Sequence, residues 1–295
     1  MLFRHMASII PLFKEKKLKP AWIFDAGTLI WRIYFTSNNL IVGETRNQET
    51  ISTSFFCLDI ISGKPLWQNI GFDEPWWIGI EAVHKGWMIL HGFVRPDMPE
   101  HRGIRVIDIE SGELLWRNDT LSFWFIDNEK LYAHKYIFEK HICSELDIKT
   151  GTIIHEQSDN LDLMQELRQQ VLQKESERRQ DVIFPEVYDE NEADSGIKTV
   201  VKKNTENRAV EGWIEVLSHR DLLIVSHYRQ VRNQTESPLL NNILTVYNLK
   251  KDKELYKEMI AEGVKAPSPD TFFVKDNLLF FIKHKTTFIA LQPWK

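Results

Sequence analysis

The chain offers few of the features that announce a chemistry. It has two cysteines, Cys57 and Cys143, among 295 residues. Both fall inside runs that read as strands, so two buried thiols are expected rather than a disulfide framework. There is no phosphate loop, no His-Glu-x-x-His, no Gly-x-Ser-x-Gly and no Cys-x-x-Cys. Basic residues are not in excess: 37 Lys and Arg stand against 42 Asp and Glu, a net charge of −5. Nucleic-acid binding wants a basic footprint, which this balance does not supply. No stretch approaches the roughly 18 apolar residues of a spanning helix. The short run Ala7 to Phe13 is interrupted by Pro11 and lacks a cleavage site, so no signal peptide is read there. A cytoplasmic protein away from membranes is the expectation, and the sequons at Asn118 and Asn233 then read as chance matches.

What the chain does have is hydrophobic material, 43% of the residues with ten Trp, enough for a large ordered core. It also has a repeat. Leu58 to Asn69 reads Leu-Asp-Ile-Ile-Ser-Gly-Lys-Pro-Leu-Trp-Gln-Asn, and Ile107 to Asn118 reads Ile-Asp-Ile-Glu-Ser-Gly-Glu-Leu-Leu-Trp-Arg-Asn. Asp59 and Asp108 end aliphatic runs, where an Asp side chain bonds backbone two residues on and starts a turn. Gly63 and Gly112 sit where that turn needs positive φ. Trp67 and Trp116 then supply large apolar surfaces on the returning strand, to be buried between neighbouring sheets. A third copy keeps Asp147 and Gly151 but has His155 for Trp. A fourth has Asn248, Asp252 and Tyr256, Asn and Asp being the next-best residues after Gly in left-handed backbone.

Upstream of each marked hairpin lie two more expected strands, and a fifth pair spans Thr271 to Ile282. Units of roughly 40 residues, each with four strands, predict an all-β fold: a five-bladed β-propeller of four-stranded antiparallel blades. Such units close radially and leave no long edge. The last unit runs out of chain after Thr287 to Leu291. Lys19-Pro20-Ala21-Trp22 matches Lys64-Pro65-Leu66-Trp67, so an N-terminal strand from Pro20 is expected to join the last blade and close the ring. Residues 1–17 read as a tail, and 18–295 as one domain with an insertion at 157–209. Leu161, Met164, Leu167, Val171 and Leu172 give that insertion a helix after Asp159 or Asn160, followed by a polar loop.

Tight turns fall on one face of this arrangement, and the long connections 46–52, 95–103 and 230–241 on the other, where binding usually resides. Two sets of residues point there. Trp31, Trp77, Trp124 and Trp213 open first strands, with Phe272 in the fifth place. Glu44, His91, His134 and His227 end second strands. Together they could hold a sugar-like or planar ligand, while inter-sheet packing and hydrogen bonding are the plainer reading. The His spacing follows the repeat and not a ligand motif, so no metal and no cofactor are expected. Asp189 to Asp194 lacks the Gly and terminal Glu of a calcium loop. Glu81 and Glu215 are the one candidate carboxylate pair for glycoside chemistry, but at different strand heights.

Asp-Ile-x-Ser-Gly-x-x-Leu-Trp at 59–67 and 108–116 resembles the repeat of the pyrroloquinoline-quinone-type propellers, where it marks an outer hairpin. The whole chain resembles an uncharacterised bacterial family of domain-of-unknown-function type that carries this repeat. Quinone-dependent dehydrogenases of the wider superfamily have adjacent cysteines near the cofactor. Cys57 and Cys143 are far apart, so the resemblance implies a fold and transfers no catalytic or cofactor residue. The functional expectation is a monomeric, non-catalytic module that binds an unknown protein or peptide on the long-loop face. The alternative is an enzyme or small-ligand binder using the Trp-lined mouth.

Overall fold

The computed structural model describes residues 17–94, 98–158, 161–178, 181–205, 210–231 and 239–294. Most of the expected tail, the start of the insertion helix at Asp159 and Asn160, and Asn233 lie outside these residues. The first strand, β1 (Pro20–Asp25), is followed by four strands of sheet 1, β2 (Leu29–Phe35), β3 (Leu40–Asn47), β4 (Ser52–Asp59) and β5 (Pro65–Ile70). Sheet 2 contains β6 (Ile78–His84), β7 (Trp87–Phe93), β8 (His101–Asp108) and β9 (Leu114–Asn118). Sheet 3 contains β10 (Ser122–Asp127), β11 (Lys130–Ile137), β12 (Lys140–Asp147) and β13 (Ile153–Ser158). The insertion supplies α1 (Leu161–Arg178), β14 (Val182–Ile183), β15 (Glu186–Val187) and α2 (Ser195–Thr205). Sheet 4 then contains β16 (Val210–His219), β17 (Leu222–Gln230), β18 (Leu240–Asn248) and β19 (Lys253–Val264). Sheet 5 contains β20 (Phe272–Lys275), β21 (Leu278–Lys283) and β22 (Thr287–Leu291), and β1 pairs antiparallel with β22 as its outer strand.

The repeat turns form for the reasons their residues suggest. Asp59 Oδ1 accepts from the Ser62 backbone N–H at 2.7 Å and from its hydroxyl, and these bonds hold the Asp59 carboxyl below its ordinary range. Gly63, Gly112 and Gly151 all have φ between 65° and 75°. Asp252 takes positive φ in the fourth copy. Each Trp then reaches the next repeat. Trp22 Nε1 donates to the Ile60 carbonyl, Trp67 to Ile109 and Trp116 to Ile148, at 2.9, 2.7 and 2.7 Å.

The closed five-bladed propeller expected from the repeat is not what forms. Among the described residues there are five separate antiparallel sheets, none closed, and two of them have five strands. Buried clusters join sheet 5 to sheet 1, sheet 1 to sheet 2, sheet 2 to sheet 3 and sheet 4 to sheet 5. Among the described residues no buried cluster joins sheet 3 to sheet 4. Met164 and Val171 of α1 pack instead on Phe125, Tyr132 and Cys143 of sheet 3. Val200 and Val201 of α2 pack on Leu223, Val225 and Tyr247 of sheet 4. The helices bury the two faces that a fifth sheet-to-sheet contact would have buried, so the hydrophobic requirement for closure is gone. Nor is the insertion a helix and a loop: its described residues form two helices and two short strands. β14 adds to β20 and β15 to β16, covering the first-strand edges of sheets 5 and 4. No helix among the described residues is long and apolar enough to cross a membrane.

Candidate functional site

The register within each sheet fixes which side chains share a height. Leu40, Trp87, Lys130 and Leu222 each lie opposite the repeat's Asp or Asn, namely Asp59, Asp108, Asp147 and Asn248. Four residues further along the same strands come Glu44, His91, His134 and Ser226. His227 is therefore one residue out of step, and in a strand one residue is the opposite face. The first strands carry a second regularity. Their ladders slip at Trp31, Glu81, Trp124 and Gly212-Trp213, because a bulge re-aims the extra residue. In sheet 2 the bulged residue is Glu81, while Trp77 precedes the strand.

The expected aromatic set is dispersed by these placements. Trp31 is 57% exposed, Trp77 and Trp124 make edge contacts with Phe93 and His134, and Trp213 is half-buried. Phe272 is fully buried in the core between sheets 4 and 5.

Two buried carboxylates turn out to be spent on backbone. Glu44 of β3 accepts from the Ile80 N–H at 2.9 Å and from Arg46 Nε at 2.8 Å. Arg46 donates onward to the carbonyls of Ile78 and Trp76, and Arg32 to that of Ile80. β6 is an edge strand, so these side chains satisfy groups that lack a neighbouring strand. Glu215 accepts from the backbone N–H groups of Asp270 and Thr271 and from the Thr271 hydroxyl. Glu81 and Glu215 are thus engaged in different sheets with different partners.

Glu81 belongs to another group. His91 is buried, and its Nδ1 lies 3.2 Å from the Gly92 carbonyl. A carbonyl only accepts, so Nδ1 carries the hydrogen and Nε2 keeps its lone pair. Burial, seconded by the neighbouring His101, pushes the His91 pKa down to about 3, and the ring is neutral. His101 opens β8 and stacks on His91 with ring centroids 3.5 Å apart and 16° between planes. Its Nδ1 lies 2.6 Å from Glu81 Oε2. Phe93 meets both rings edge-on, at 5.0 and 5.1 Å. One ligand atom each from Glu81, His91 and His101 lies within 4.8 Å of the others. Gly79 leaves room for this convergence: a Cβ there would come within 3.0 Å of His91 Nε2 and 3.1 Å of Glu44 Oε2. No sequence signal marks His101, which falls in the expected connection 95–103.

The equivalent height in sheet 3 is aromatic. His134 and His141 rings are 5.0 Å apart, Tyr136 stacks on His141 at 4.6 Å, and Trp124 meets both histidines. Burial lowers the pKa of each histidine and raises that of Cys143 nearby. Beside them lies an open cleft of about 750 Å³ between Trp124 and the polar side of α1, including Asp162, Gln165 and Arg168. Asp194, in the stretch weighed as a calcium loop, instead caps α2 by accepting from the Ile197 N–H at 2.9 Å.

A family model described as a domain of unknown function, DUF4905, matches residues 36–116. No curated protein matches the chain. Among solved structures, an uncharacterized protein of Listeria monocytogenes EGD-e is similar at 12% identity and a TM-score of 0.31, covering 88% of this chain and 94% of that one. The β-propeller domain of the Trilobed protease from Pyrococcus furiosus is similar at 11% identity and a TM-score of 0.29, covering 88% of this chain and 64% of that one. An acylaminoacyl peptidase of Pyrococcus horikoshii gives 11% identity and a TM-score of 0.29, covering 86% of this chain and 35% of that one.

Proposed function

We propose that the chain is a non-catalytic binding module that takes a protein or peptide partner on the face of the second-to-third-strand connections. One observation carries this reading. The β11–β12 turn lifts Tyr136, Ile137 and Phe138 into solvent, with Phe138 99% exposed at φ 54°. Left-handed backbone suits Gly or Asn, and a bulky residue there is an outlier. Neither core packing nor turn chemistry accounts for a phenylalanine at this tip, whereas insertion into a partner's pocket does. The test is a photo-crosslinking residue placed at 138, with a control at the exposed Ile61 on the tight-turn face, in cells expressing the protein. A discrete crosslinked species from 138, absent from 61 and lost with Ile137→Asp, supports the reading. The same pattern from both positions overturns it.

The cleft beside Trp124 favours a second reading, a small-ligand site, since its volume lies within the range of about 300–1,000 Å³ usual for ligands. Native mass spectrometry of the purified chain separates the two, because a stoichiometric retained molecule lost with Trp124→Ala supports the second.

A further inference from the structure

We propose that Glu81, His91 and His101 form a binding site for a divalent first-row transition-metal ion. The proposal is independent of the partner-binding reading. It rests on three donors from three consecutive strands of sheet 2 whose ligand atoms lie within 4.8 Å of one another. Two imidazoles and a carboxylate, with no thiolate, make a donor set suited to zinc or iron(II) and not to copper(I).

The surroundings prepare the donors. The Gly92 carbonyl fixes the His91 tautomer, as an outer-shell acceptor does for a ligating imidazole. Glu81 sits at a bulge, which turns its carboxylate toward the histidines and off the regular ladder. His91 is held by its burial, while Glu81 and His101 keep side-chain exposures of 23% and 37% and can adjust. That freedom matters. Two donors on one ion at about 2.1 Å each stand roughly 3 Å or more apart. His101 Nδ1 and Glu81 Oε2 are at 2.6 Å, sharing a hydrogen, so the ion displaces that proton and spreads the pair slightly. The parallel His91 and His101 rings likewise open toward a V.

Charge does not forbid the ion. Arg32 and Arg46 lie near His91, but Arg46 is paired with Glu44 at 2.6 Å and Arg32 donates to the Ile80 carbonyl. Three protein donors also leave coordination positions open to water or a ligand.

The experiment uses the full chain without a polyhistidine tag, stripped by a chelator and titrated with cobalt(II). One equivalent should bind and give visible ligand-field absorption. His101→Ala and Glu81→Gln should each weaken binding at least about 10-fold, while the exposed His155→Ala leaves it unchanged. Metal-free thermal unfolding of each variant checks that the fold persists. If one variant unfolds, the other decides. No ligand-field band in the wild-type chain overturns the site, and so does an unchanged titration in His101→Ala or Glu81→Gln.

Discussion

Trp116 lies flat against the Gly151 turn, so closely that a Cβ on Gly151 would fall 2.6 Å from Trp116 Cδ2. Its indole N–H is bonded to the Ile148 carbonyl of the same turn. Trp67 makes the same pair of contacts with Gly112 and Ile109. The outer strand of one sheet is thereby clamped to the repeat turn of the next. Gly151→Ala should destabilise by about 2 kcal/mol or more, through strain at φ 72° and the collision with the indole. Trp116→Ala should cost about 3 kcal/mol, the lower end for a Trp because the ring is only half-buried. Urea unfolding of both variants checks this, and two losses that simply add would mean that the residues do not act on each other.

The same clamp marks how far the sequence could be read. Repeat turns, strand pairs and the N-terminal strand beside β22 follow from Asp, Gly and Trp positions, because those residues act through local backbone geometry. The interruption between sheets 3 and 4 was also written, in His155, which replaces the clamping Trp and is exposed. It could not be understood from the sequence, since the long insertion gave no sign that Val200 and Val201 would bury a sheet face. The candidate metal donors were half legible. Glu81 and His91 stood out, but His101 reaches them only through a bulge and a ladder slip at Gly92, which no periodicity reveals.

Removing residues 1–26 should abolish cooperative unfolding. It deletes β1, and with it Trp22 and Phe24 from the core shared by sheets 5 and 1. The edge of β22 would then be exposed along its length. A truncated chain with the wild-type melting temperature would show that β1 contributes nothing to closure of that core.

Stability should fall in mild acid because of His227. The ring is buried, and burial, with the charges of Lys257 and Arg229, takes its pKa from 6.5 to about 4. The unfolded chain takes up a proton below pH 6.5, whereas the folded chain does so only near pH 4. The His227 contribution is therefore complete above about pH 6.5 and is lost as pH falls toward 4, at about 1.4 kcal/mol per unit. Urea midpoints at pH 6.5 and 5 should differ less in His227→Gln than in the wild type, by about 2 kcal/mol in free energy. Parallel pH profiles would mean that the histidine is solvated in the fold.

Glu215→Ala should cost about 2–4 kcal/mol, by leaving the Asp270 and Thr271 donors without their charged acceptor. Glu215→Gln should recover part of this, since an amide oxygen can still accept. Because Thr271 Oγ1 also lies 2.7 Å from Ser226 Oγ, which is hydrogen-bonded to Asn242 in turn, the damage should extend into sheet 4. Hydrogen exchange localises it: faster exchange at Asp270 and Thr271 with β17 also affected is the expected pattern, and exchange confined to the loop would detach Glu215 from that network.

The helices of the insertion test what keeps the five sheets from closing on one another. Replacing residues 159–209 with a short Gly-Ser linker removes Met164, Val171, Val200 and Val201 from the faces they cover. Phe125 and Tyr132 on sheet 3, and Leu223, Val225 and Tyr247 on sheet 4, then lose their apolar cover. Each such side chain returned to water costs about 1.5–3 kcal/mol when fully uncovered, and several together approach a typical total stability. If the two faces are not complementary, the shortened chain should bind a hydrophobic dye, associate, and melt well below the full chain. His155 favours this outcome, because the shortened chain still lacks a Trp to clamp sheet 3 onto the sheet 4 turn. A monomeric, dye-silent chain with unchanged melting would instead mean that sheets 3 and 4 can bury each other directly, and that the helices merely occupy a junction the sheets could have made themselves.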